Sequence, residues 1–243
     1  MAAGKAKIEK NLQRVRGEIA GACARAGRDA ASVRLVAVTK SADVAEVRSL
    51  IELGVTDLGE SRAQDFLARA EEIAAWQQRR RTESPAEIRW HMIGHLQRNK
   101  VRHVLAEPGL ELIHSVDSLR LAEEINARAE AIGKVVNVLM QVNCSNEPQK
   151  FGCAVGAAVH LGELLCTLKH IRLAGLMTMA PLSDDPEDAR PSFVRLRELF
   201  EEMRREGIGG ESFRHLSMGM SQDYAVAVEE GATLVRVGTA LFS

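Results

Sequence analysis

VRLVAVTK (33–40) is a run of Val, Leu and Ala, broken by one arginine and closed by a threonine and a lysine. A nearly continuous apolar run rich in valine is what a strand presents when both of its faces are covered, as in a parallel sheet flanked by helices. Upstream, Ile8, Leu12, Val15, Ile19 and Cys23 recur at steps of three and four, with Gly27 just beyond. That spacing predicts one amphipathic helix over residues 5–26, ended by a glycine cap.

Downstream the unit repeats. Short β-branched runs at 33–39, 55–59, 88–94, 110–116, 135–143, 171–179, 213–218 and 233–241 alternate with helical stretches near 43–53, 61–78, 96–106, 118–132, 156–169, 187–206 and 221–230. Such alternation, with no Gly/Pro-rich linker, predicts an α/β fold: a single closed (β/α)8 TIM barrel spanning 1–243, with residues 1–30 forming an extra N-terminal helix packed on it. A doubly wound open sheet is the alternative. WQQRRRTESPAEIRW (76–90) and APLSDDPEDARP (180–191) read as irregular.

With 243 residues, 46% hydrophobic and 27% charged, the chain can bury a full core, which excludes a disordered protein. Lys and Arg number 32 against 33 Asp and Glu, so no bulk field draws it to nucleic acid or an anionic membrane, and neither is expected as a partner. The basic segment at 76–90 lacks interleaved aromatics and reads as a solvated loop. No stretch resembles a secretory leader or a membrane span, so a cytoplasmic location is expected. Cys23, Cys144, Cys153 and Cys166 are scattered, with no CxxC pair, and read as reduced and structural.

In an eight-stranded barrel, chemistry gathers at the C-terminal strand ends. Lys40 follows an apolar strand there: one reading is a lysine carried into the barrel mouth, whose burial lowers its pKa and makes it a nucleophile toward aldehydes, and the other is a strand-end lysine that snorkels into solvent. SMGMS (217–221) opens a helix and RVGTA (236–240) ends the last strand. Their backbone amides and hydroxyls suit an anion, and the loops after strands 7 and 8 are the usual phosphate site of this barrel. Taken singly, such turns are just turns. A phosphate at one rim and a lysine on the adjacent strand is the layout that pyridoxal phosphate requires. Arg236 would then face the pyridine nitrogen and keep it unprotonated; the alternative is a barrel arginine paired with a carboxylate such as Glu60. HMIGH (91–95) has helical metal spacing but sits on a strand-to-loop edge, so no metal is expected. His91 either faces the cofactor or is a hydrogen-bonded structural residue.

At these residues the sequence resembles the YggS/PROSC family, the pyridoxal phosphate homeostasis proteins. The shared motifs run nearly end to end: LVAVTK (35–40), GESRAQD (59–65), WHMIGHLQRNK (90–100), KFG (150–152), GLMTMAP (175–181), LSMGMSQD (216–223) and VRVGTALF (235–242). The resemblance implies a barrel like the N-terminal domain of alanine racemase, with pyridoxal 5'-phosphate (PLP) held as an internal aldimine on Lys40. It assigns the phosphate to Ser217, Gly219, Ser221, Gly238 and Thr239 and the pyridine nitrogen to Arg236. Ser61, His91, Met177 and Met218 complete the expected cofactor contacts. Ser61 stands where the family usually has Asn, and Ser243 where it usually has Gly and a short tail.

The family is regarded as vitamin B6 carriers or buffers that affect amino-acid and keto-acid balance. An alanine racemase adds a C-terminal domain bringing a tyrosine base to the second face of the cofactor. The lone tyrosine here, Tyr224, is expected to point away from the ring. The expected function is therefore a non-catalytic PLP carrier, expected to be a monomer, with PLP-dependent apoenzymes as recipients. A weak PLP-dependent racemase or lyase is the alternative, and a sugar-phosphate isomerase using Glu60 and His91 is the third.

Overall fold

The computed structural model describes residues 4–80, 87–145, 147 and 149–243. Eight parallel strands, β1 (Arg34–Val38), β2 (Asp57–Glu60), β3 (Arg89–Met92), β4 (Leu110–Val116), β5 (Val136–Asn143), β6 (Ile171–Met177), β7 (His215–Ser217) and β8 (Leu234–Val237), pair in chain order. The ring closes where β8 meets β1, with Arg34 opposite Leu234 and Ala37 opposite Val237. That pairing decides for the barrel over the open sheet. A two-residue strand, Cys153–Ala154, pairs with the end of β5.

The helices are α1 (Lys5–Arg25), α2 (Val44–Glu52), α3 (Ala63–Arg80), α4 (Val101–Leu105), α5 (Leu119–Ala131), α6 (Val155–Cys166), α7 (Arg190–Arg205), α8 (Tyr224–Glu229) and α9 (Thr239–Phe242). As its periodicity requires, α1 buries Ile8, Leu12, Val15, Ile19 and Cys23. It ends at Gly27, whose φ of 64° lets the Arg28 N–H return to the Cys23 carbonyl at 2.8 Å. The helix also anchors the end of the chain: Asn11 donates to the Leu241 and Ser243 carbonyls at 3.0 and 2.9 Å, and Arg14 to that of Ala240 at 2.9 Å.

Three expectations need correction. The run 233–241 breaks at Gly238, and Thr239–Phe242 is helical rather than strand. Within 76–90, residues 76–80 continue α3, while 81–86 lie outside the described residues. Within 180–191, Pro186–Ala189 is a 3-10 turn leading into α7; proline suits that first turn because its missing N–H has no partner there anyway.

Strand alternation puts one face of every strand against the helices and the other into the barrel. Most of the apolar core lies in the outer layer, and a smaller cluster of Val36, Leu112, Leu139, Ala174, Met177 and Leu234 packs separately from it. Alongside that cluster the barrel carries buried polar groups, Asp57, His91, His114, Ser217 and Arg236.

Candidate functional site

The loops after the strands surround a cleft of about 800 Å³, lined among others by Lys40, Ser61, Gly94, Ser221, Arg236, Gly238 and Thr239. Its lining includes four cationic side chains, Arg14, Lys40, Arg62 and Arg236, against the carboxylates of Asp185 and Asp223. Such a balance favours an anionic ligand.

Lys40 stands two residues past β1 at the rim and is exposed. Of its two readings the exposed strand-end lysine holds, since the strand ends at Val38, two residues before it. Past the end of the neighbouring strand β8, the Ser221 hydroxyl oxygen accepts hydrogen bonds from the Gly238 N–H at 3.2 Å and the Ala240 N–H at 3.3 Å. These are amides at the start of α9, which lack partners within the helix. The break of β8 at Gly238 is what turns them toward the cleft rim. Gly94 sets the other wall: a Cβ there would lie 2.1 Å from the Ser61 carbonyl oxygen, so glycine lets the loops after β2 and β3 touch.

Arg236 is 4% exposed, yet its guanidinium borders the cleft. Nη1 donates to Ser217 Oγ at 2.7 Å and Nη2 to the Thr178 carbonyl at 3.0 Å. No carboxylate of the described residues lies within 4.0 Å of it. Burial pushes the guanidinium down to about 10, opposed by the charge of Asp223, so it remains a cation at neutral pH. Glu60, the alternative partner, instead accepts from Thr39 Oγ1 at 2.6 Å, with Arg69 Nε at 3.7 Å, and burial raises its pKa.

Lys40, Ser61, Ser221, Arg236, Gly238 and Thr239 thus share the cleft. His91, Met177, Ser217, Met218 and Gly219 do not line it. Met177 packs with the smaller apolar cluster and Met218 in the outer core. Gly219, at φ 89°, turns the chain where a Cβ would meet that of Ala227 at 2.5 Å. The Ser217 hydroxyl is engaged by Arg236 and, at 2.8 Å, by His114 Nδ1. His114 Nε2 meets His91 Nδ1 at 2.9 Å, and His91 Nε2 meets Asp57 Oδ1 at 3.0 Å. His91 is therefore the hydrogen-bonded residue of its two readings, and with Glu60 also outside the cleft the isomerase pair is not assembled there. His95, the other histidine of HMIGH, stacks on Phe151 with ring centroids 4.2 Å apart.

Sequence reasoning missed Gln141, Phe151 and Asp223 in the lining, and Asp57 beneath it. A lone amide in the apolar run VVNVLMQVN and a carboxylate in VTDLG are the available signals, since a polar residue within a buried strand requires a partner. Tyr224 donates its hydroxyl to Glu18 on α1, away from the cleft as expected.

Two histidines, His114 buried and His215 half-buried, carry a pH dependence. Burial, then the charges of His91 and Arg236, holds His114 well below the usual value; burial, then Arg34 and Arg214, pushes His215 down to about 4. A histidine depressed in the folded state contributes stability in full above its unfolded pKa and loses it as pH falls toward the folded one. The melting temperature is expected to be level above pH 7 and to fall by about 5 °C or more between pH 6.5 and 4. Calorimetry across that range checks it; a level profile down to pH 4 would contradict it.

The family model described as alanine racemase, N-terminal domain, matches residues 6–243. A pyridoxal phosphate homeostasis protein from Aquifex aeolicus is 39% identical over 96% of this chain and 96% of its own length. Among solved structures, an unknown protein from Bifidobacterium adolescentis superposes with a TM-score of 0.89 and 41% identity, covering 98% of this chain and 95% of that one. PipY of Synechococcus elongatus PCC7942, solved with PLP bound, superposes at 0.80 with 30% identity, covering 97% and 100%. The chain accordingly belongs to the alanine racemase N-terminal domain family and, within it, to the pyridoxal phosphate homeostasis proteins.

Proposed function

We propose that this cleft binds pyridoxal phosphate covalently on Lys40 and that the protein serves vitamin B6 homeostasis as a carrier rather than a catalyst. The observation that carries the reading is the donor set around one cleft. Lys40 lies at one rim, two amides converge on Ser221 at another, and the Arg236 guanidinium lies between the strands below. When bound, pyridoxal phosphate supplies an aldehyde that condenses with an amine and a ring that acts as an electron sink. PLP is bound in the related PipY structure.

In this reading Lys40 provides the amine. Ser221, Thr239 and the amides of Gly238 and Ala240 hold the phosphate. Arg236 donates to the pyridine nitrogen; a guanidinium there keeps the nitrogen unprotonated and the ring a weak electron sink. Racemisation by two bases needs a proton donor on each face, and Tyr224 is committed to Glu18. Both points favour a carrier over a racemase or lyase. PLP-dependent apoenzymes are the natural recipients, in the cytoplasm, from a monomer. Among the described residues no helix is long and apolar enough to cross a membrane.

Ser221→Ala and Thr239→Val are each expected to weaken retention of pyridoxal phosphate by about tenfold, the cost of one hydrogen bond to a charged group. Equilibrium dialysis reads this, and unchanged affinity in both variants would remove the phosphate site. Steady turnover of any amino acid by the cofactor-saturated protein would decide for the enzyme.

A further inference from the structure

A buried polar chain runs through the barrel from the cleft to a group near the opposite strand ends. Its members come from five strands: Asp57 starts β2, His91 lies on β3, His114 on β4, Ser217 ends β7 and Arg236 lies on β8. None is more than 5% exposed. Every link is within hydrogen-bond distance, between 2.7 and 3.0 Å. Beyond Asp57, Arg89 closes on both carboxylate oxygens, from Nε at 3.0 Å and from Nη2 at 2.5 Å, and Arg34 stands 3.5 Å away.

The two ends fix the direction of every bond between them. Arg236 has only donors, and an ionised carboxylate has only acceptors. Burial alone would raise the Asp57 pKa, but hydrogen bonds from His91 and Arg89 outweigh it and hold the carboxyl well below the usual range, so this end is an anion. His91 must then donate from Nε2 to Asp57. With both imidazoles neutral, its Nδ1 accepts from His114 Nε2–H, and His114 Nδ1 accepts the Ser217 hydroxyl proton. The Ser217 lone pair is thereby left facing Arg236. All four bonds point the same way, from guanidinium to carboxylate.

We propose that Asp57, His91 and His114 are positioning residues of the cofactor site, acting through Ser217: the chain presents the buried Arg236 with an oriented acceptor that holds its guanidinium toward the cleft. This rests on the reading that Arg236 meets the pyridine nitrogen. A barrel interior is normally filled by branched apolar side chains, and replacing a buried polar array with well-packed apolar residues is often neutral or stabilising. A complete chain in that place thus has a use other than stability. It also fixes the role of Ser217, whose proton goes to His114 and is not offered to a ligand.

Asp57→Leu removes the terminal acceptor without touching the cleft. Asp57→Asn is the conservative control: Asp57 Oδ1 faces His91, Arg89 Nε and Arg34 together, so the amide oxygen takes that place and His91 keeps its acceptor. Long-range ¹H–¹⁵N NMR of the protein without cofactor should show His91 and His114 both protonated on Nε2 in the wild type and in Asp57→Asn, and the single tautomer lost in Asp57→Leu. With pyridoxal phosphate added, Asp57→Leu and His114→Phe should each dissociate it about tenfold faster and shift the ¹⁵N resonance of the bound ring nitrogen. Borohydride should still fix the label on Lys40. Either histidine protonated on Nδ1 in the wild type would overturn the proposal. So would wild-type retention and ring resonance in both Asp57→Leu and His114→Phe at unchanged melting temperature. Loss of Lys40 labelling in the wild type itself would count against the cofactor reading, while the tautomers would still decide the chain.

Discussion

Replacing Lys40 with alanine is expected to abolish borohydride-fixed pyridoxal phosphate while moving the melting temperature by no more than about 2 °C. The two halves of this expectation have separate causes. The covalent half follows from chemistry: only a primary amine condenses with the aldehyde, and Lys40 is the lysine that lines the cleft next to the converging amides of Gly238 and Ala240. The stability half follows from exposure. Among the described residues Lys40 makes no hydrogen bond or ion pair, and an exposed side chain of that kind can be truncated within about 0.5 kcal/mol. Lys40→Arg separates charge from covalency, since it keeps the cation but cannot form the bond. It should retain more cofactor in dialysis than the alanine variant and equally little label after reduction. A melting temperature that drops steeply in Lys40→Ala without ligand would show that the lysine holds the fold rather than the cofactor.

Gly175→Ala should be the most damaging single methyl group in the barrel, costing about 3 kcal/mol or more. Gly175 has φ 149°, and a Cβ there would lie 1.9 Å from the His215 carbonyl oxygen and 2.7 Å from its carbon. Both partners are backbone, so no side chain can swing aside. The contact sits where β6 pairs with β7, Gly175 opposite His215, which in turn sets Met177 opposite Ser217. Thr178 follows directly, and its carbonyl and the Ser217 hydroxyl are the two groups that hold Arg236. A displaced strand pair would therefore reach the cleft. The urea midpoint should fall with the slope retained, and pyridoxal phosphate should dissociate faster. An unchanged midpoint would mean that β6 and β7 can move apart freely, which would undermine the positioning of Arg236.

The barrel was legible because its strands are covered on both faces, so that each reads as an apolar run between amphipathic helices. The run 110–116 coincides with β4, and the apolar stripe of α1 is the face it buries. The overrun at 233–241 shows the limit of that signal. Leu241 is as buried as the strand residues before it, but it is buried by a helix packed under α1, and hydrophobicity does not distinguish the two. At the site, the rim residues were legible because strand ends and glycine turns are local features. The interior was not: Asp57 and Ser217 are joined through His91 and His114 across 160 positions of sequence, and no local pattern says which inward groups will meet. The same holds for Glu60, which meets Thr39 and Arg69 rather than Arg236, partners from elsewhere in the sequence that no local pattern singles out.

The most direct measurement is to load the wild-type protein with pyridoxal phosphate, reduce it with borohydride and map the modified peptide by mass spectrometry. One label per chain, on Lys40, is the predicted result. Label spread over surface lysines at similar occupancy, or none at all, would contradict the assignment of this cleft as the cofactor site.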